Sequence, residues 1–98
     1  MKEEIKLEIN DKKGQFSLFI NGKEQGLMTF LFDGKDKIII DHTEVYPGNE
    51  GKGLGKKLVA KAVETAREKH WKIVPVCSFA KKVIDRTPEF QDVLYSQN

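Results

Sequence analysis

The sequence has 98 residues, of which 39% are hydrophobic and 33% are charged, and this composition supports one modest core and excludes a disordered chain. The formal net charge is +2, from 17 basic and 15 acidic residues, a balance that argues against a nucleic-acid-binding protein. One cysteine and two histidines exclude an internal disulfide and indicate no structural metal site. We therefore expect one domain over residues 1–98.

In the first half of the chain, apolar and polar residues alternate with the period of two that is typical of a half-buried strand. Such strands are expected at Ile5–Ile9, Phe16–Ile20 and Leu27–Phe32. Asn21-Gly22 between the second and third is a hairpin signal, because both residues tolerate positive φ. A fourth strand is expected at Lys37–Val45, where the run Ile38-Ile39-Ile40 indicates burial on both faces in the centre of a sheet.

The second half of the chain changes period, and its apolar residues follow the helical spacing from Leu54 to His70. A short apolar fifth strand is expected at Trp71–Val76. The helix is long enough for a crossover, so the fourth and fifth strands are expected to be parallel. Beyond Cys77 we expect two short helices, with Thr87-Pro88 at the break between them.

The predicted fold class is therefore α/β (α+β) with a single mixed sheet. An antiparallel meander of four strands is followed by a glycine-rich turn, a helical crossover to a parallel fifth strand, and short C-terminal helices.

The glycine-rich turn, Gly51-Lys52-Gly53-Leu54-Gly55-Lys56, leaves a strand and opens a helix. A helix start has unpaired N–H groups and partial positive charge, and glycines let the backbone approach an anion closely. The turn therefore predicts a phosphate site, although glycines at this place can also serve only to make a tight bend. Two nucleotide-binding patterns fail: Lys57 replaces the hydroxyl residue of a Walker loop, and Lys56 replaces the last glycine of the dinucleotide fingerprint.

The segment Glu50–Gly55 resembles the acetyl-CoA loop of the GNAT superfamily of N-acetyltransferases, Gln/Arg-x-x-Gly-x-Gly/Ala. Gly53 and Gly55 match its two small positions, whereas Glu50 stands where the family usually has Gln or Arg. The flanking segments Asp41–Val45 and Val74–Phe79 extend the resemblance to a group of very small GNAT-like proteins.

This resemblance implies a site for acetyl-CoA, or coenzyme A, as cosubstrate. In GNAT domains the pantetheine arm lies where the fourth and fifth strands splay apart, and the pyrophosphate binds the amides of the glycine loop. The cofactor-binding residues implied for this chain are Thr43, Glu44, Val45, Glu50, Gly51, Lys52, Gly53, Leu54, Gly55, Lys56, Ser78 and Phe79. Most GNAT domains also have two helices between the first two strands, but only Asp11–Gly14 lies there in this chain. The acceptor site is therefore expected to be open or completed by a partner.

His42 and Cys77 are the candidate catalytic residues that the resemblance implies. Each lies near the end of one of the two adjacent strands, so we expect their side chains within reach of each other. In direct transfer, His42 would deprotonate or orient an amine; in a covalent route, Cys77 would take the acetyl group and His42 would activate it. The alternatives are a small buried cysteine and a histidine that only makes hydrogen bonds.

The expected function is transfer of an acetyl group from acetyl-CoA to an unidentified amine on a small molecule or a protein. The alternative is a CoA-binding module without catalysis, or a subunit of a larger complex. No apolar run is long enough to span a bilayer, and Met1–Glu4 lacks the apolar stretch of a secretion signal. We therefore expect a cytoplasmic protein that binds neither membrane nor nucleic acid, and the sequence leaves a homodimer or a protein partner open.

Overall fold

The computed structural model describes residues 2–96, which form one five-stranded sheet with helices after its fourth and fifth strands. The elements are β1 (Glu3–Asn10), β2 (Lys13–Ile20), β3 (Lys23–Phe32), β4 (Lys37–Val45), α1 (Leu54–Lys69), β5 (Lys72–Pro75), α2 (Ser78–Asp85) and a 3₁₀ helix (Pro88–Val93). The strand order follows the chain, with the first three pairings antiparallel and β4–β5 parallel. The predicted fold class, including the parallel fifth strand, is confirmed.

The predicted boundaries differ most at β3, which begins at Lys23 and not at Leu27. A second difference lies at the β1–β2 hairpin. Asp11–Gly14 was expected to be a turn, but β2 already begins at Lys13, which pairs with Asn10. The turn therefore needs only two residues, and Asp11 adopts the left-handed backbone with φ of 59°. Within residues 2–96, no helix has the length and apolar content that crossing a membrane requires.

The helices and the buried side chains form one core on one face of the sheet. The sheet contributes fully buried residues such as Phe16, Met28 and Ile40, and α1 contributes residues such as Leu58 and Val59. Both α1 and α2 contact the 3₁₀ helix as well as each other, so all of these helices lie on this face. Burial of this apolar surface is the main favourable term in folding.

The opposite face of the sheet, which we call the open face, carries no helix in the part of the chain that the structure describes. This corrects the expectation that β4 is buried on both sides. Ile38 and Ile40 are fully buried against the helices, whereas Ile39 points to the open face and is half-buried. Side chains of a strand alternate between faces, so a run of apolar residues does not by itself reveal whether both faces are covered.

A β-bulge in β4 decides which side chains reach each face. Phe30 pairs with Ile40 and Thr29 pairs with His42, so Asp41 is an extra residue without a counterpart on β3. Directly opposed residues share a face, and Thr43 is opposite the fully buried Met28. The bulge therefore turns Thr43 toward the helices and His42 toward the open face.

Candidate functional site

β4 and β5 separate at the level of Ile40. Their pairing ends with Ile40 and Pro75, although β4 continues to Val45 along β3. The backbone amides of Val76 and Cys77 both donate to the carbonyl of Ile40, at 3.0 and 2.9 Å, and the chain then turns into α2. The segment 41–45 of β4 consequently has no strand partner on this side among residues 2–96. The result is a cleft whose wall is the backbone of residues 41–45, and the thiol of Cys77 lies in it against the backbone and the hydroxyl of Thr43.

Cys77 lies in this cleft immediately before α2. Its Sγ donates a hydrogen bond to Thr43 Oγ1 at 3.5 Å, and the side chain is half-buried. Burial acts to raise the pKa of Cys77, but hydrogen bonds from the Ala80 amide, the Thr43 hydroxyl and the Phe79 amide lower it below the usual value. The start of a helix thus stabilises a thiolate at this position.

The lowered pKa gives a prediction about alkylation of Cys77, the single cysteine of the chain. The midpoint of the iodoacetamide rate against pH should lie below that of an unstructured cysteine peptide, because the thiolate is the reacting form. Thr43→Val should raise this midpoint, since it removes a hydrogen bond to the thiolate. Mass spectrometry of the modified protein between pH 6 and 10 measures both curves.

Thr29→Val is the matched control, because the Thr29 hydroxyl donates to Asp41 and not to Cys77. A midpoint for the unsubstituted protein at or above that of the peptide would contradict the prediction. An equal upward shift in both threonine variants would show that Thr43 has no specific effect on the thiol.

His42 lies on the open face, away from the contacts of Cys77. Its Nε2 is 3.3 Å from Glu44 Oε1, and both side chains are exposed. The structure therefore does not bring His42 and Cys77 into contact, contrary to the expectation from the two adjacent strand ends. The physical reason is the bulge at Asp41, which gives the contact with Cys77 to Thr43 instead. The catalytic roles of the two residues stay predictions.

The glycine loop joins β4 to α1 with backbone conformations that favour glycine. Gly48, Gly51 and Gly53 have φ of 94°, 79° and 69°. Gly53 is the N-cap of α1 and provides no side-chain hydrogen bond, and the first turn of the helix contains no acidic residue. The amides at the start of α1, from Leu54 onward, are thus free to bind an anion, and the helix dipole favours negative charge there.

A buried asparagine that the sequence reasoning missed holds this loop in place. Asn49 Nδ2 donates to Gln25 Oε1 at 2.8 Å and to the Tyr46 carbonyl at 2.9 Å. Its own oxygen accepts a hydrogen bond from Lys52 Nζ at 3.3 Å. The sequence feature that could have identified Asn49 is its position between turn glycines, because an asparagine side chain often forms hydrogen bonds with nearby backbone.

Glu50, the departure from the family pattern, is exposed and bound within the loop. Its Oε2 accepts a hydrogen bond from the Gly48 amide at 3.2 Å. The carboxylate is thus held by an amide that precedes it in the chain, and it does not cap α1.

A groove of about 430 Å³ lies beside the loop, between the first turn of α1 and the outer side of α2. We call it the loop groove; its lining includes Val45, Gly53, Gly55, Lys56, Phe79, Lys82 and Arg86. The last two were not among the predicted site residues. The sequence feature that could have identified them is a pair of basic residues one helical turn apart in the segment after Cys77. Ser78, which was predicted to bind the cofactor, is the exposed first residue of α2 and is not part of this lining.

Gly55 and the ring of Phe79 are in close contact, so a side chain at residue 55 would require the ring to move. A Cβ at Gly55 would lie 2.6 Å from the end of the Phe79 ring. The second matched glycine of the loop therefore lets an aromatic ring from α2 lie against α1. This contact connects the start of both helices at the edge of the loop groove.

A second groove of about 460 Å³ lies across β1 to β4, and its lining includes Glu8, Thr29 and Asp41. Thr29 Oγ1 donates to Asp41 Oδ1 at 2.6 Å. Because Thr29 pairs with His42, this open-face groove adjoins the strand position of His42. The loop groove and the open-face groove thus lie near the two faces of the same segment of β4.

Comparison with known proteins agrees with this architecture. The sequence profile of the family described as GCN5-related N-acetyl-transferase matches residues 15–93. Protein NATD1 of Xenopus tropicalis is 28% identical over 85 residues, covering 86% of this chain and 78% of the relative. A GCN5-like protein of Staphylococcus aureus, solved by NMR, is 32% identical with a TM-score of 0.68, covering 95% of this chain and 90% of that one. The chain therefore belongs to the GCN5-related N-acetyltransferase (GNAT) family.

The fold is also shared with more distant structures. An acetyltransferase of Bacillus subtilis, crystallised in complex with CoA, is 18% identical and has a TM-score of 0.67, over 87% of this chain and 74% of that one. The five-stranded mixed sheet is thus the GNAT fold, and the resemblance read from the glycine loop is confirmed. The short β1–β2 turn leaves out the helices that most GNAT domains have between these strands.

Proposed function

We propose that this protein is an acetyl-CoA-dependent N-acetyltransferase. The observation that carries the proposal is the cleft between β4 and β5, which opens onto a glycine loop with free amides at the start of α1. An extended pantetheine arm can pair with the backbone of Thr43–Val45 as a strand would, since this edge of β4 has no strand partner in the described residues. The pyrophosphate then lies on the amides of Gly53–Lys56. Membership of the GNAT family, and the CoA in the Bacillus subtilis relative of the fold, support this assignment.

The acceptor amine approaches from the open face. The open-face groove is lined by two carboxylates, Glu8 and Asp41, and one cation, Lys13, and the excess of negative charge attracts a protonated amine. No helix in the described chain covers this face, so the groove is accessible to a small molecule or to a side chain of a protein. The segment of β4 that adjoins the cleft carries His42 on this side.

In the proposed reaction, the amine nitrogen attacks the carbonyl carbon of the thioester, and a C–N bond forms as the C–S bond breaks. The bound ammonium first gives one proton to His42, which frees the lone pair for this attack. The CoA sulfur leaves with the electron pair of the broken bond and takes up the proton that the acetylated nitrogen then loses. Glu44, 3.3 Å from His42 Nε2, stabilises the imidazolium that forms. Direct transfer fits the geometry because His42 lies on the acceptor side and does not contact Cys77.

Turnover of acetyl-CoA with a panel of amines tests this function. The panel should contain simple alkylamines, polyamines, and peptides with a free N-terminus or lysine. Loss of acetyl-CoA and gain of acetylated product should be followed by liquid chromatography and mass spectrometry, because thiol reagents would also react with Cys77. CoA binding without turnover on any acceptor would favour a non-catalytic CoA-binding module, for which the open acceptor side is the motivating observation.

Cys77→Ala separates the two chemical routes. For direct transfer we expect kcat to fall by no more than about tenfold, because Cys77 contacts only the wall of the cleft and supplies no proton transfer. Loss of activity by about 1,000-fold, with acetyl-Cys77 trapped by mass spectrometry in the unsubstituted protein, would establish the covalent route instead.

A further inference from the structure

Three cations around the loop groove have no acidic partner. Lys56, Lys82 and Arg86 line the groove, and within residues 2–96 none of them forms an ion pair. Their neighbours differ: Lys57 pairs with Glu3 at 2.8 Å, and Lys81, also on α2, pairs with Asp85 at 2.7 Å. Among the described residues, no ion pair thus balances the positive charge at the groove.

Lys82 and Arg86 can bind a second anionic group, separate from the one that the loop amides bind. Lys82 lies in the last turn of α2, and Arg86, four residues later, is the C-cap of this helix. Both therefore project to the same side of α2. The amides at the start of α1 belong to the opposite wall of the groove. A ligand held by the loop can therefore present a second negative group to the α2 wall.

The groove has room for a ligand that extends beyond a pyrophosphate. A neighbouring depression of about 320 Å³ shares Lys56, Val83 and Thr87 with it and extends to Ala60 and Phe90. Its lining includes the apolar residues Ala60, Val83 and Phe90, which suit a flat ring such as a purine. Lys82 and Arg86 line the loop groove beside Val83 and Thr87, which the groove shares with this depression.

We infer that Lys82 and Arg86 form a subsite for the 3′-phosphate of coenzyme A and make the protein select CoA over 3′-dephospho-CoA. This inference rests on the proposed function and adds to it the chemical group of CoA that α2 binds. A phosphomonoester carries close to two negative charges at neutral pH, whereas dephospho-CoA has a neutral hydroxyl at the same place. Two unpaired cations, one of them a guanidinium that can bind phosphate in a bidentate manner, distinguish these groups.

Calorimetric titration with CoA and with 3′-dephospho-CoA tests the inference on the full chain and on two variants. The unsubstituted protein should bind CoA at least about tenfold more tightly. In Lys82→Gln/Arg86→Gln this ratio should fall to within about twofold, through weaker binding of CoA alone. Lys81→Gln, which removes one positive charge from the same helix outside the loop groove, should keep the ratio. Thermal unfolding of each variant verifies that it folds.

Three outcomes overturn the inference. Equal affinity of the unsubstituted protein for both ligands shows that the 3′-phosphate does not contribute to binding, while the proposed function stands. Equal weakening of both ligands in the double variant shows that the α2 cations serve a group that the ligands share. Absence of binding for both ligands contradicts the proposed function itself, and the inference fails with it.

Discussion

Replacing His42 by alanine should lower kcat for acetyl transfer by about 100-fold or more and leave the affinity for CoA unchanged within about twofold, because positioned proton transfer contributes 10²- to 10⁴-fold in enzymes. His42 lies on the open face, and the proposed CoA contacts lie in the cleft and the loop groove. The acceptor must lose a proton when it is acetylated, and the strand position of His42 adjoins the open-face groove through Thr29. Steady-state kinetics with the best acceptor of the panel, together with a CoA titration, measures both quantities.

Imidazole added to the His42→Ala variant should restore part of the lost rate, a result that a merely structural role would not give. His70→Asn is the control: His70 is the other histidine of the chain, and asparagine tolerates its left-handed backbone with φ of 59°. We expect this variant to keep full activity. A His42→Ala variant as active as the His70→Asn variant would exclude His42 as the base.

Replacing Gly53 by alanine should weaken CoA binding by at least about tenfold, a loss of about 1.4 kcal/mol. Gly53 has a positive φ, so any Cβ there is strained by about 1–2 kcal/mol. Within the protein the new methyl group meets no atom closer than 4 Å. It therefore occupies the space beside the first amides of α1, where the proposal places the pyrophosphate.

Gly34→Ala separates the effect on binding from the effect on stability. Gly34 also has positive φ and also has open space around a Cβ, but it lies in the β3–β4 turn. Both variants should lose a similar free energy of unfolding, of about 1 kcal/mol, in chemical denaturation. Only Gly53→Ala should lose CoA affinity. Equal CoA affinity in the two variants would indicate that the glycines of the loop only shape a turn.

The bulge at Asp41 gives the two faces of β4 different roles. Without the extra residue, Thr43 would follow the alternation set by Ile40 and point to the open face. With it, Thr43 contacts Cys77 in the cleft at 3.5 Å, and His42 stands on the acceptor side. One extra residue in a strand can thus separate the residue that contacts the thiol from the residue proposed as the base.

Much of the fold could be predicted from the sequence because its signals are local. The alternation of Phe16, Leu18 and Ile20 requires a strand with one buried face, and the helical spacing of Leu58, Ala62 and Ala66 requires a helix with one buried stripe. The glycines between these two patterns identified the loop for the same reason. Positive φ and close approach of the backbone are properties of single residues.

The part of the site that the sequence did not reveal depends on contacts between distant segments. The bulge at Asp41 exists only through pairing with β3, and Asn49 is anchored by Gln25 from that same strand. Lys82 and Arg86 reach the loop groove because α2 packs on α1.

Backbone propensity and hydrophobic period act over a few residues, so the sequence alone predicts a mixed sheet, a crossover helix and a glycine loop at the start of that helix. The tertiary structure was needed to show that His42 and Cys77 have separate partners, because the bulge at Asp41 forms only where β4 pairs with β3. It also decided that unpaired cations of α2 face the loop, because the position of a helix depends on the surface that it buries.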